Sequence, residues 1–410
     1  MSDGWVTKSL EELCDFKNGL WKGKKPPYVE VGIIRNTNFS REGFLDNSDI
    51  AYHNVEVKQL EKRKLQFGDI ILEKSGGGPK QPVGRVIPFE LRDGEFSFSN
   101  FTSVIRIKDK EELNFRFLHR LLFYYYVAGV TESMQRRSTG IRNLDFKIYK
   151  QLRVPLPSPA EQKRIVAILD ETFSAIAKAK ENAEKNLANA RELFESYLNR
   201  VFTQQGDGWE ETQLGEVVTF QGGSQPPKSV FVKEKKPGYI RLIQIRDYKS
   251  DKHIVFIPEK VARRKCDASD VMIGRYGPPL FQILRGIDGA YNVALMKVIP
   301  DETRISKDYL FHFLKNGRIL SYVIHSSNRA AGQAGVNKKT LEPYPIPFPT
   351  DLSEQTRIVG ELEGLMADTK RLESIYEQKL ANLDELKQSL LQKAFTGQLT
   401  AKTAELEMAV

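Results

Sequence analysis

The chain is written twice, and that internal repeat constrains its architecture more than any other feature. Gly4-Trp5 returns as Gly208-Trp209, 204 positions on (208 minus 4), and at the same offset Leu10, Glu12, Phe16 and Gly19 match Leu214, Glu216, Phe220 and Gly223. Tyr28-Val29 and Ile34-Arg35 align with Tyr239-Ile240 and Ile245-Arg246 at an offset of 211. Asp69-Ile70 and Lys74-Ser75-Gly76 resemble Asp270-Val271 and Arg275-Tyr276-Gly277 at 201. A drifting offset means one framework carrying loops of different length. The end of each half behaves otherwise. Pro155-Leu156-Pro157 matches Pro347-Phe348-Pro349, and Glu161-Gln162-Lys163-Arg164-Ile165-Val166 matches Glu354-Gln355-Thr356-Arg357-Ile358-Val359 at 193. That offset then holds without a gap to Phe202-Thr203 and Phe395-Thr396. A rigid spacer tolerates no insertion; a variable recognition surface does.

The ungapped parts read as long helices. Ile165, Leu169, Ile176, Ala179, Ala183, Leu187, Ala190, Leu193 and Tyr197 recur at spacings of three, four and seven, which places an apolar stripe on one helix face. The second copy carries Ile358, Leu362, Leu365, Leu372, Tyr376, Leu380, Leu383, Leu386 and Leu390. Each follows a Pro-x-Pro segment that blocks helix upstream, with Ser158 and Ser353 placed as N-caps. A helix of this length, roughly 60 Å, cannot bury its stripe within one small domain. The first stripe is alanine-rich and the second leucine-rich, which favours pairing of the two within the chain. The other arrangements are packing of each on its own domain, or a coiled coil between copies.

The remaining segments alternate short strand-like runs, at 28–34, 69–72, 83–87, 103–107, 239–245 and 295–299, with helices expected near 111–127 and 307–323. Each half is therefore expected to hold a mixed α+β domain followed by a long helix.

Composition narrows the function. Sixty-two Lys and Arg against 53 Asp and Glu give a net charge of +9, which points to a polyanionic partner, nucleic acid first. The two cysteines, Cys14 and Cys266, have no nearby companion, so a disulfide scaffold or zinc site is not expected and a reducing cytoplasm is. Neither a signal peptide nor a membrane span is legible.

Catalytic constellations are missing from the sequence. The run Ser75-Gly76-Gly77-Gly78-Pro79-Lys80 lacks the Gly-Lys-Ser/Thr of a phosphate-binding loop. No GxGxxG follows a strand, and Gly277-Pro278-Pro279-Leu280 lacks the amide and the aromatic of an amino-methyltransferase loop. The histidines at 53, 119, 253, 312 and 325 form no metal-binding pair. His119 and His312 fall at matching positions in apolar helices and read as packing residues. A loose nuclease-type carboxylate cluster is neither selected nor excluded.

Binding features are plentiful. Loops that combine basic, amide and small residues suit phosphates and base edges, and both repeats carry them at corresponding points. In the first half the candidate DNA contacts are Arg35, Asn36, Asn38, Lys74, Ser75, Lys80, Gln81, Asn100, Arg136, Arg137, Arg142 and Asn143. In the second they are Gln244, Arg246, Arg275, Tyr276, Asn328, Arg329, Gln333, Asn337 and Lys338. No catalytic or metal-ligating residue is assigned.

At the doubled Pro-x-Pro and Glu-Gln-x-Arg-Ile-Val motifs, and at the helix ends Leu198-x-x-x-Phe202-Thr203 and 389–400, the chain resembles the specificity subunits of type I restriction-modification enzymes. The resemblance covers nearly the whole chain. It implies target-recognition domains over 1–157 and 204–349, spacer helices over 158–203 and 350–400 that pair as an antiparallel coiled coil, and a tail over 401–410. It further implies that each domain reads one half of a bipartite, asymmetric double-stranded DNA target. Two methyltransferase subunits using S-adenosylmethionine would dock on the helices. A separate endonuclease/translocase subunit would use ATP and Mg. The chain itself would be non-catalytic and cofactor-free. Base contacts differ between members of that family, so the residues above rest on their chemistry alone. Two other readings are an autonomous DNA-binding regulator with a coiled-coil spacer, which a neighbouring methyltransferase reading frame would argue against, and a self-sufficient methyltransferase.

Overall fold

The computed structural model describes residues 5–20, 23–78, 81–138, 141–203, 206–327 and 335–400. The chain divides into two compact units, Met1–Ala183 with Gln378–Val410, and Glu184–Glu377.

In the first unit Val6–Ser9 pairs antiparallel with Arg153–Leu156. A four-stranded sheet runs Cys14–Asn18, Thr102–Ile107, Ile70–Glu73, Val86–Pro88. A second sheet runs Ala51–Glu56, Tyr28–Ile34, Phe96–Phe98, with the last pair parallel. A third joins Gln135–Ser138, Ile141–Leu144 and Ser75–Gly77. The helix Phe115–Val127 starts four residues later than the pattern at 111 suggests. The reason is local: the Asp109 side chain accepts the Glu111 N–H at 2.9 Å, and Asn114 accepts those of Arg116 and Phe117, so the intervening turn is closed before the helix begins. Its Phe117, Leu118 and Leu121 join Ile70 and Ile105 of the sheet in one buried core.

The second unit repeats this plan. Trp209–Gln213 pairs with Pro345–Pro349. A four-stranded sheet runs Val218–Gly222, Leu295–Pro300, Val271–Gly274, Gln282–Arg285, and another runs Val255–Pro258, Tyr239–Ile243, Gly289–Tyr291, Lys265–Cys266. The same strand pair is again parallel. The single helix expected over 307–323 is two, Lys307–Leu314 and Gly317–Ser327. Asn316 divides them: its N–H closes the first helix on the Phe313 carbonyl, and its buried side chain accepts the Arg318 N–H at 2.8 Å to start the second.

Two helices of 43 and 44 residues, Pro159–Val201 and Leu352–Phe395, follow the strands at Arg153–Leu156 and Pro345–Pro349. Ser158 caps the first by accepting the Glu161 N–H at 3.3 Å. The second is capped by Asp351, not Ser353, because the Asp351 carboxylate accepts the Ser353 N–H at 2.8 Å and Ser353 is already inside the helix. In the first unit Ile165 and Leu169 share a core with Leu391 and Phe395, and Lys180 forms an ion pair with Asp384. In the second unit Leu198 and Phe202 share a core with Ile358 and Leu362. There Arg191 donates to Glu373 at 2.7 Å and the Tyr197 hydroxyl to Glu361 at 3.0 Å. No helix among the described residues is long and apolar enough to cross a membrane.

Candidate nucleic-acid interface

Four loops of the first unit that are far apart in sequence converge. The Asn36 amide donates to the Ser75 carbonyl at 2.8 Å, and the Ser75 hydroxyl donates to the Asn143 side chain at 2.5 Å. The backbone N–H groups of Lys74 and Ser75 donate to the Phe101 carbonyl, and that of Leu144 donates to the Lys74 carbonyl. Lys74 Nζ reaches the Asn18 side chain at 3.0 Å, and partial burial pushes the pKa of its ammonium down. Arg35, Asn36 and Asn100 line a common cleft. Arg85, which nothing in the sequence singled out, anchors the arrangement. Its guanidinium pairs with the buried Glu73 carboxylate at 2.7 Å and donates to the Asn36 and Phe39 carbonyls, while the Gln81 side chain lies against it. Arg136 is 71% exposed yet ion-paired with Asp145, the residue that caps the short helix Phe146–Lys150. That pairing holds the Asp145 carboxyl below its usual range. Arg142 donates to the Gln135 side chain at 3.3 Å.

The second unit converges on the same framework. The Arg275 N–H donates to the Ala294 carbonyl, and the Val336 N–H to the Arg275 carbonyl, reproducing the bonds made by Lys74, Phe101 and Leu144. The Arg275 guanidinium donates to the carbonyls of Val336 and Val293 and lies over the Tyr276 ring, 5.2 Å from its centre. Arg246 is exposed. Lys338 Nζ lies 4.0 Å from the Glu342 carboxylate. Asn337 caps the short helix Lys338–Leu341 by accepting the Lys339 N–H, the counterpart of Asp145.

Several expectations are corrected. Asn38 is 2% exposed, and its side chain accepts the Arg35 N–H at 2.9 Å while donating to the Asp46 and Asp49 carbonyls, so it holds its own loop together and presents nothing outward. Asp247 does the same for Gln244 at 3.1 Å, and burial raises its carboxyl pKa. The paired caps also correct the alignment. Arg35 corresponds to Gln244, not Arg246, because Tyr239–Ile243 is two residues shorter than Tyr28–Ile34. Lys80, Asn328, Arg329 and Gln333 lie outside the described residues, as does the side chain of Arg137. His119 and His312 are buried in their helices. Burial, then Arg120, depresses His119 to about 3, and burial, then Lys315, lowers His312. Among the described residues no group of His, Cys, Asp and Glu is arranged to hold a metal ion.

Sequence reasoning missed Leu20, Ile33 and His53 as cleft residues. An apolar residue such as Leu20 or Ile33 carries no signal that distinguishes a cleft wall from a core, and a single histidine in the strand Ala51–Glu56 carries none for a site.

Residues 2–186 and 206–381 each match the family model described as the type I restriction modification DNA specificity domain. The chain is 22% identical to the type I restriction enzyme StySPI specificity subunit of Salmonella potsdam, over 98% of this chain and 90% of that one. It is 23% identical to the EcoKI specificity subunit of Escherichia coli K12, over the same shares. Among solved structures, the HsdS subunit from Thermoanaerobacter tengcongensis superposes with a TM-score of 0.66 at 20% identity, covering 97% of this chain and 98% of that one. A chain from a study of complex assembly and conformational transition in the type I R-M system superposes with a TM-score of 0.77 at 21% identity, covering 97% and 99%.

Proposed function

Because this chain belongs to the type I restriction modification DNA specificity domain family, as its non-catalytic DNA-recognition subunit, we propose that its two domains read the two halves of a bipartite, asymmetric duplex target. The observation that carries this reading is the convergence of basic and amide-bearing loops on equivalent framework positions, Lys74 and Arg275, in both units. The sequences hung on that framework differ, so the half-sites read should differ as well. Asn36, Lys74, Ser75, Asn100, Arg136, Arg142 and Asn143 would face the first half-site. Gln244, Arg246, Arg275, Tyr276 and Lys338 would face the second. Most such contacts position the duplex through phosphates, and a minority read base edges.

The division of labour follows from the same reading. Recognition domains would occupy 1–157 and 204–349, and the long helices would pair as an antiparallel coiled coil that sets the gap between half-sites. The Lys180–Asp384 and Arg191–Glu373 pairs, each within its own unit, support that pairing. Two methyltransferase subunits would bring S-adenosylmethionine, and an endonuclease/translocase subunit would bring ATP and Mg, all in the cytoplasm. Methylome sequencing of cells carrying this chain with a methyltransferase subunit tests the proposal. One bipartite modified motif with two unlike halves is expected; a palindromic or continuous motif would overturn it.

A further inference from the structure

The first unit contains a cleft of about 490 Å³ lined by apolar Leu20, Ile33 and Phe101 and by polar Arg35, Asn36 and Ser99. Phe101 is 47% exposed although it is large and apolar, and its carbonyl is tied to the cation-bearing Lys74 loop.

The shape and chemistry of the cleft decide between the parts of a duplex. Phosphates seek cations and donors, and three apolar walls suit them poorly. A groove edge is read by an element that projects into the groove, and a concavity does not project. A flat heterocycle turned out of the stack suits this cleft: its face can stack on the exposed Phe101 ring, its edges meet apolar Leu20 and Ile33 with polar residues also in the lining, and its size falls within the roughly 300–1,000 Å³ of small-ligand sites. We propose that this cleft receives one nucleobase rotated out of the duplex within the first half-site, a deepening that rests on the DNA-recognition reading above. The second unit carries Ile245 and Ala294 where the first has Asn36 and Phe101. Extrusion is therefore confined to the first half-site.

The test uses the full chain without its partner subunits, on duplexes carrying the target. Purines of both half-sites are replaced one at a time by 2-aminopurine, cytosines by pyrrolo-cytosine, and thymines are probed by permanganate. Binding is followed separately by anisotropy. The expected result is a several-fold fluorescence rise, or new permanganate sensitivity, at one position of the first half-site and at none of the second. Phe101→Ala, which removes the stacking face, and Leu20→Trp, which fills the cleft, should each abolish that signal at protein concentrations raised until anisotropy shows the duplex saturated. Binding without unstacking at any position overturns the inference and leaves the recognition reading intact. Absence of binding overturns both.

Discussion

Gln162 and Gln355 make the same three hydrogen bonds at equivalent points of the two halves. Gln162 Oε1 accepts the Asn114 N–H at 2.8 Å, and its Nε2 donates to the carbonyls of Glu112 and Pro157 at 2.9 and 3.0 Å. Gln355 Oε1 accepts the Ser306 N–H at 2.8 Å, and its Nε2 donates to Arg304 and Pro349 at 2.8 and 2.9 Å. Both side chains are 0% exposed. Each bolts the start of a long helix to the turn that precedes a domain helix, which explains the glutamine of the Glu-Gln-x-Arg-Ile-Val motif.

Gln162→Leu should therefore leave one buried N–H and two carbonyls unpaired. A loss of about 2–4 kcal/mol is expected, at roughly 1–3 kcal/mol per buried orphan with partial relaxation. Gln355→Leu should cost a similar amount in the second unit. Urea unfolding of the two variants measures it, and a loss below about 0.5 kcal/mol would show that these bonds are replaced by water.

The interface residues should separate by half-site. Alanine at Arg136, Arg142 or Asn143 is expected to alter selection at the first half-site only, and alanine at Arg246, Arg275 or Lys338 at the second only. A base-reading arginine should cost about 1–3 kcal/mol and relax one position, whereas a phosphate contact should weaken all sequences and lower the salt slope. Binding-site selection scored separately for each half decides it; first-unit variants that disturbed both halves equally would refute the assignment.

The helices are expected to act as a ruler. One heptad inserted after Ala183 together with one after Tyr376 preserves both apolar stripes. The modified motif should then keep its two half-sequences with a longer gap between them. Methylome sequencing reads the gap directly, and an unchanged gap in a folded double insertion would assign the spacing to another element.

Buried His119 should make the first unit acid-sensitive. Its folded pKa, depressed to about 3 by burial and Arg120, lies below that of the unfolded chain near 6.5. The unfolded state thus takes up the proton first, and stability falls as pH drops below about 6.5, by up to about 1.4 kcal/mol per pH unit. His312 adds a change of the same sign in the second unit. His119→Phe, among the rings of Phe44 and Phe123, should flatten the dependence between about pH 6.5 and 5. Denaturant unfolding at those two pH values checks it, and an unchanged slope would exclude His119 as its source.

Periodic features were legible in the chain from the start. The repeat and the two long helices follow from spacing, because burial on one face imposes a period that side chains must obey, and the strand Tyr28–Ile34 was legible as a short apolar run. The burial of His119 and His312 was legible for the same reason. Loops obey no period. Whether Asn38 faced a ligand or capped its own loop depended on the carbonyls of Asp46 and Asp49 arriving beside it. The register of Arg35 with Gln244 rather than Arg246 depended on where a strand ended in space. The placing of Asn36 against Ser75, and of Ser75 against Asn143, comes from the packing of sheets that bring distant loops together. Sequence alone determined the repeated framework and its chemical class; tertiary packing decided which polar side chains were spent on holding that framework and which were left to face a partner. A buried amide and an exposed one are the same letter, and only the neighbours that do or do not satisfy its hydrogen bonds distinguish them.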